Sequence, residues 1–520
     1  MRTLKKLVAT LLVSAAIAAP AACVARDIRV GYTLDALTMD PANYRKRETE
    51  VILDNMYDGL VTGDGHGHVI GQLASSWKQI DATTYEFKLR PGVKFHDGSP
   101  MTAEDVKYTF DRLTRVGALD GQTSPRAGLL GPLKQVQIVD QDTIRLIMAR
   151  PWPALPTMLP FQSVVSEKFV DAVHTAGMAT KEDGTGPFKL VTWNRDDSIV
   201  MQRFDDYYGG ARSPYGPAKA PRLIFEIIPE SASRVAALLA GSVDLINELP
   251  AHSIKEVQAN QGTKVVSVNG TRSFFVALNN TKPPFNDPSV RRAANYAIDR
   301  QLVIDKILEG RAVALNGPLS PDAFGFNAAL PAYAYDREKA KQLLAQAGYP
   351  NGVDVTLDVE GAFEDEGEVI ASLLTKVGIR TKVSVGEGSV LKAKWSSKDK
   401  GGGDMWFTSW GDAGLDPEGI LNPTLTTGGR GNSAGYSNPE VDTLLKAASS
   451  EVDPAKRAAL YRKIQTLVNA DAPWIFLWLP QDIYGINARL KGWTPDPDGR
   501  IDLRNAYIDT RSAPVSKDPS

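Results

Sequence analysis

The sequence predicts an α/β protein of at least two lobes, each built on at least one mixed sheet. Three observations carry this. The chain has 520 residues, well past the size at which one hydrophobic core stops growing and chains divide. Apolar residues make up 43% and charged residues 23%, ordinary values for a globular chain. Finally, short β-branched and aromatic runs interleave with capped, amphipathic helical segments along its length, the pattern of strands covered by helices.

Taken in order, Met1–Ala25 is read as a signal segment. Arg2, Lys5 and Lys6 begin it, Leu7–Ala19 is apolar but too short to span a bilayer, and "APAACVA" supplies small residues, with Cys23 and Ala25 fitting cleavage before Arg26. Cys23 is the sole cysteine. A lipoprotein reading would acylate it, but Pro20 stands where that motif wants leucine; simple removal with the leader leaves a cysteine-free chain that relies on core burial. Three basic and no acidic residues leave with the leader, so 56 basic face 61 acidic side chains, a net charge of −5. No basic stripe of the kind nucleic acid requires is present, and no later segment is long and apolar enough to cross a membrane.

Helices are expected where caps precede apolar periodicity. Thr102 with Asp105 begins one, and Glu230–Gly241 holds a short one. Asp287-Pro288 opens a segment closed by Gly310, Asp336 opens one closed by Gly348, and Asn438-Pro439 and Asp453-Pro454 open two more. Strands are expected at 84–90, 143–149, 223–229, 273–279, 404–410 and 473–480. No internal repeat occurs, and 511–520 is read as a loose tail.

Catalytic motifs fail on context. "GNSAG" (Gly431–Gly435) matches a nucleophile-elbow pattern, but a Gly/Thr-rich loop precedes it, the next helix waits until Asn438-Pro439, and no histidine follows Ser433. His66 and His68 lack a third nearby ligand, which argues against a metal site. His96-Asp97 sits in turn chemistry and is read as a local hydrogen bond. Among the nine tryptophans, Trp406 and Trp410 share a face of one strand that ends in the acidic, glycine-rich "GDAGLDPEG". Such a loop beyond a strand's carboxyl end is where α/β lobes present ligand-binding groups.

The stretch "LRPGVKFHDGSPMTAEDVKYTFDR" resembles the signature of family 5 extracellular solute-binding proteins of ABC importers, the oligopeptide/dipeptide-binding group. Further matches run in order: "LDALTMDPAN", "NMYDGLV", "LASSWK", "GTGPFKL", "FFVALNNTKPPFNDPSVRRAANYAIDR", "AYDREKAKQLLAQAGYPNG", "YSNPEVDTLL" and "DAPWIFLW". The resemblance implies a two-lobed, hinge-closing periplasmic-binding-protein fold. Lobe I would be 26–274 plus 485–520, with an extra subdomain over about 60–185, and lobe II would be 275–484. It implies a monomer in the periplasm that engulfs a peptide or peptide-like solute and docks on inner-membrane permease subunits, without enzymatic chemistry, cofactor or metal.

In peptide-binding members an aspartate after the "W…GD" strand end pairs with the ligand's α-amino group. Trp410, Gly411 and Asp412 occupy that stretch, although the spacing to Asp416-Pro417 is one residue longer than the dipeptide pattern. A turn or cap role is the alternative for Asp412. The segment where dipeptide-type members carry an arginine for the ligand carboxylate, "VEGAFEDEGEVIASLL", has none. Arg45 and Arg47 are the candidate replacement, with a solvated surface face as their alternative. An opine, sugar conjugate or oligosaccharide on the same scaffold therefore stays open, and a secreted hydrolase is the reading from a different class.

Overall fold

The computed structural model describes residues 26–64, 68–209, 216–397, 399–412 and 414–510. The leader with Cys23, His66 and the tail 511–520 lie outside the described residues. Helix starts follow the caps: the side chains of Asp287, Asp336, Asn438 and Asp453 each accept a backbone N–H from the first turn that they precede. The expected helix from Asp287 to Gly310 is instead two, Pro288–Ala297 and Arg300–Lys306. Ile298 turns extended (ψ 114°), and Asp299 accepts from Leu302 N at 3.0 Å, capping the second helix. An internal cap competes with helix continuation, and here it wins.

A single sheet organises most of the chain. Strand Ile28–Tyr32 runs parallel to Arg222–Ile227 and to Leu245–Ile246, and Ser198–Arg203 and Phe188–Asn194 extend that side antiparallel. On the far side, Ile379–Gly386, Val353–Glu360 and Met405–Gly411 run parallel to one another, and Met405–Gly411 pairs antiparallel with Arg272–Leu278. Parallel and antiparallel pairs thus mix.

The two sides are joined by Trp474–Asn487, 14 residues long. Its first half pairs with Arg272–Leu278 and its second half with Thr263–Asn269. Only Gly270 and Thr271 separate those two partners, and Gly270 N donates to Pro480 O at 3.0 Å. Both connections therefore cross side by side.

Separate cores lie on either side of the crossings. One gathers Val30, Met56, Phe188, Phe225 and Ile486. Beyond the crossings, alternate residues of the central strands enter opposite cores: Val276, Phe407 and Ile475 go to one, Phe275, Trp474 and Phe476 to the other. "PWIFLWLP" reads as an unbroken apolar run because both its faces are covered. A register shift between Phe274 and Phe275 turns Trp478 into the first of these cores, opposite Trp474. A third body, the four-stranded antiparallel sheet of Ala74–Asp81, Thr84–Leu89, Thr143–Met148 and Leu133–Asp140, has its own core around Phe87, Phe110 and Leu146.

Candidate functional site

Strand Met405–Gly411 delivers its carboxyl end beside the crossings. Arg272 lies opposite Gly411 in register, and Asp412 N donates to Thr271 O at 2.9 Å. The chain then turns: Leu415 N returns to Asp412 O at 3.0 Å. Asp416 caps the next turn through Glu418 N and takes a bidentate pair from Arg457 at 2.7 and 2.7 Å. Asp416 thus caps the turn that follows the strand.

Asp412 is 5% exposed, and among the described residues no side chain donates to its carboxylate, whose one neighbouring donor is the backbone N–H of Asp416. Burial, followed by the charge of Asp416, pushes its pKa well above the usual carboxylate range. A carboxylate left alone in a dry site is costly unless it is protonated or a cation reaches it.

Trp410 lies against its own lobe. Its Nε1 donates to Gly419 O at 2.9 Å, and Gly431 packs so closely on the ring that any side chain there would collide. The Arg430 guanidinium stands 5.0 Å from the Trp410 ring centroid. Arg45 and Arg47 do not converge. Arg47 opens helix Arg47–Leu53, lies flush against Gly499 and reaches Asp482 on the crossing strand at 3.5 Å. Arg45 donates to Pro125 O at 3.3 Å. Burial and then the charges of Arg126 and Arg430 hold its pKa below the ordinary arginine value. Sequence reasoning missed Arg430 and Arg272. The signal for Arg430 was a lone basic residue in the glycine-rich "TTGGRGN", a stretch weighed only as a nucleophile elbow.

The two bodies touch along this loop. Trp152 Nε1 donates to Glu418 Oε1 at 3.4 Å, and Ser449 Oγ holds the other oxygen of Glu418 at 2.8 Å. A Cβ on Gly414 would stand 3.0 Å from Thr157 O and 3.2 Å from Met158 Cε.

The remaining motifs are structural. His96 pairs with Glu182 at 2.8 Å and Gly186 O at 3.0 Å rather than with Asp97, whose carboxylate accepts from Ser99 N. Ser433 lies in the loop between Leu421–Leu425 and Pro439–Ala448, with no strand before it and no helix directly after it. Among the described residues no group of three potential ligands could hold a metal, and His68 bonds Asp64 at 2.9 Å.

Residues 68–432 match the sequence profile of bacterial extracellular solute-binding proteins, family 5. The chain belongs to this family. A glutathione-binding protein of Pectobacterium atrosepticum is 29% identical over 510 residues, covering 95% of this chain and 97% of the relative. Heme-binding protein A of Haemophilus influenzae is 30% identical over 494 residues, covering 89% and 88%. The ABC transporter-associated periplasmic binding protein DppA of Helicobacter pylori, solved with the peptide STSA, superposes with a TM-score of 0.76 at 29% identity, over 93% of this chain and 98% of that one. The fold is the two-lobed solute-binding architecture, and the chain is a solute-binding protein of the ABC-importer type. Its named relatives are binding proteins, and no helix among the described residues is long and apolar enough to cross a membrane.

Proposed function

We propose that the protein captures a peptide or peptide-like solute in the periplasm, as a monomer, and delivers it to inner-membrane permease subunits. The observation that carries this is Asp412: a carboxylate buried without a side-chain partner, at the crossings and beside the contact between the two bodies. A ligand ammonium would supply the missing cation through a charge-assisted hydrogen bond. Closure around it is a population shift, driven by contacts that exist only when both lobes meet. Binding breaks no covalent bond, so the role requires no nucleophile, cofactor or metal. In this proposal the lobes part near Gly270–Thr271 and Pro480–Gln481, a few residues from the 274/275 and 484/485 limits that the resemblance implies, a choice supported by the hydrogen bond from Gly270 N to Pro480 O.

Calorimetry with short peptides tests the reading. Asp412→Ala should fold normally and lose most of its affinity for free-amine peptides, while N-acetylated peptides should bind poorly to both forms. Unchanged affinity in a well-folded Asp412→Ala would remove the ammonium from this site.

A further inference from the structure

Two adjoining cavities lie beside the loop that follows Asp412, and their walls are acidic. The first is closed by both bodies: Leu415 lines it from one, and Phe161, Val69 and Pro497 line it from the other, with Asp496 and Asp498 as its carboxylates. It encloses about 390 Å³, its open mouth included. The second, about 350 Å³, shares Pro160 and Arg500 with the first and is lined by Asp54, Asp58, Asp502 and Gln72. Both are of the size that small ligands and their side chains occupy.

Each arginine in these walls is shared by two carboxylates. Arg500 stands 2.6 Å from Asp498 and 3.7 Å from Asp54, and Arg504 stands 2.7 Å from Asp502 and 3.3 Å from Asp58. With Asp496, five acidic groups face two guanidinium groups. Neighbouring basic residues are engaged elsewhere: Arg126 faces Glu50 at 3.7 Å, and Arg47 reaches Asp482 at 3.5 Å.

Buried acceptors also go unmet. Gln72 is 1% exposed, and its Nε2 donates to Asp58 and to the Tyr207 hydroxyl, both at 2.9 Å, which fixes the orientation of the amide. Its Oε1 has no hydrogen-bond partner among the described residues, and Asp54 Oδ2 accepts no hydrogen bond there either. Burial holds the Asp54 and Asp498 carboxyls above the usual range, although Arg500 pulls the other way. The surplus of negative charge is therefore costly until a cation joins it.

Among the described residues no three of these groups converge closely enough to hold a metal ion, which leaves an ammonium or a guanidinium. Phe161, Leu415, Val69 and Pro497 supply the apolar surface along which a lysine or arginine stem lies while its head stays with polar groups. Phe161 is itself held in place: Arg126 donates to its carbonyl, and the Arg500 guanidinium stands 5.2 Å from its ring centroid.

We propose that the two cavities form an acidic side-chain site that takes the basic group of a peptide-like solute, so that the protein prefers lysyl or arginyl ligands to neutral ones. Because Leu415 belongs to one body and Asp496 and Asp498 to the other, a side chain seated there touches both and favours the closed form. The proposal rests on the capture of a free-amine peptide at Asp412.

Calorimetry on the full chain tests it with Lys-Ala, Ala-Lys, their norleucine counterparts, which keep the stem without the ammonium, and N-acetyl-Lys-Ala. One lysyl probe should bind at least ten-fold tighter than its norleucine counterpart, and which one does so identifies the residue whose side chain enters. Asp496→Asn should shrink that ratio to about two-fold, and Asp496→Lys, which brings its own ammonium, should abolish or reverse it. Melting curves verify that both variants fold. Equal binding of lysyl and norleucyl probes would mean that the cavities hold water alone and overturns the site, as does a lysyl preference that survives both substitutions, or no binding by any probe. N-acetyl-Lys-Ala binding as tightly as Lys-Ala, with the Asp496 sensitivity retained, would instead remove Asp412 from the ammonium and leave the acidic site standing.

Discussion

Asp40 and Arg112, far apart in the chain, meet in a buried bidentate pair, Nη1 to Oδ1 at 2.8 Å and Nη2 to Oδ2 at 2.6 Å. The first belongs to "LDALTMDPAN" and the second ends "DVKYTFDR", so two family motifs are the two halves of one contact. Asp40 also accepts from Ala42 N at 2.9 Å, which fixes the loop as it fixes the arginine.

Removing one partner of such a pair strands the other charge in the interior. Arg112→Ala is expected to cost about 3–5 kcal/mol of stability, read from denaturant midpoints. Ligand affinity of the folded fraction should stay unchanged. A loss below about 1 kcal/mol would mean that water reaches Asp40 freely.

His96 sets a pH dependence. Its Nδ1 faces the Glu182 carboxylate and its Nε2 the Gly186 carbonyl, and because an ionised carboxylate and a carbonyl only accept, the cationic ring is the form that satisfies both. Burial alone would lower its pKa, but the charge and hydrogen bond of Glu182 prevail and hold it above the ordinary histidine value. A raised folded pKa stabilises fully below the unfolded value, about 6.5, and the stabilisation is lost as pH rises through the folded one. The melting-temperature gap between wild type and His96→Gln should therefore be widest near pH 5.5 and narrow in alkaline buffer. A gap independent of pH would assign the ring to packing against Phe204 alone, 5.0 Å away.

Local chemistry made much of this fold legible. Asp287, Asp336, Asn438 and Asp453 announce their helices because a cap and its first turn are neighbours in sequence. The double-sided apolar run at Trp474 likewise declares a covered strand. What stayed hidden depends on contacts between distant residues. Glu182 as the partner of His96, the turning over of Trp478, and the stacking of Arg430 over Trp410 are set by how strands and loops meet, and no periodicity encodes them. At the candidate site, sequence and resemblance singled out Asp412, but only burial without a side-chain partner separates it from Asp416, which Arg457 pairs.

Asp412 opposes stability for as long as it stays buried without a ligand cation. Its pKa is raised by burial, so the folded state resists ionisation and loses stability as pH rises above the ordinary carboxylate value, about 3.9. Asp412→Asn should therefore melt higher than wild type at pH 7, by on the order of 1–2 °C for a chain this large, with the difference vanishing below pH 4. Its affinity for free-amine peptides should fall at least ten-fold, about 1.4 kcal/mol. An ammonium that ionises Asp412 on arrival should also release a proton, visible as a binding enthalpy that varies with the ionisation enthalpy of the buffer. A variant that melts lower than wild type at pH 7 would show that Asp412 is satisfied within the fold.

Gly414 gives a way to separate closure from ligand chemistry. It contacts no ligand group in this reading, yet the place of its Cβ lies 3.0 Å from Thr157 O and 3.2 Å from Met158 Cε, atoms of the opposite body. Real Cβ atoms rarely come so near a backbone oxygen, and valine adds two methyl groups to the conflict. The collision exists only while this loop sits on Leu155–Met158, so an open protein would not feel it. Gly414→Val should melt within about 1 °C of wild type without ligand, yet bind peptides about 10–100-fold more weakly, because each 1.4 kcal/mol lost from the closed state lowers apparent affinity ten-fold. Small-angle scattering should show wild type contracting with saturating ligand and the variant contracting less. Normal affinity with full contraction would mean that the loop shifts to accommodate the side chain, and that the contact between Gly414 and Thr157 does not limit closure.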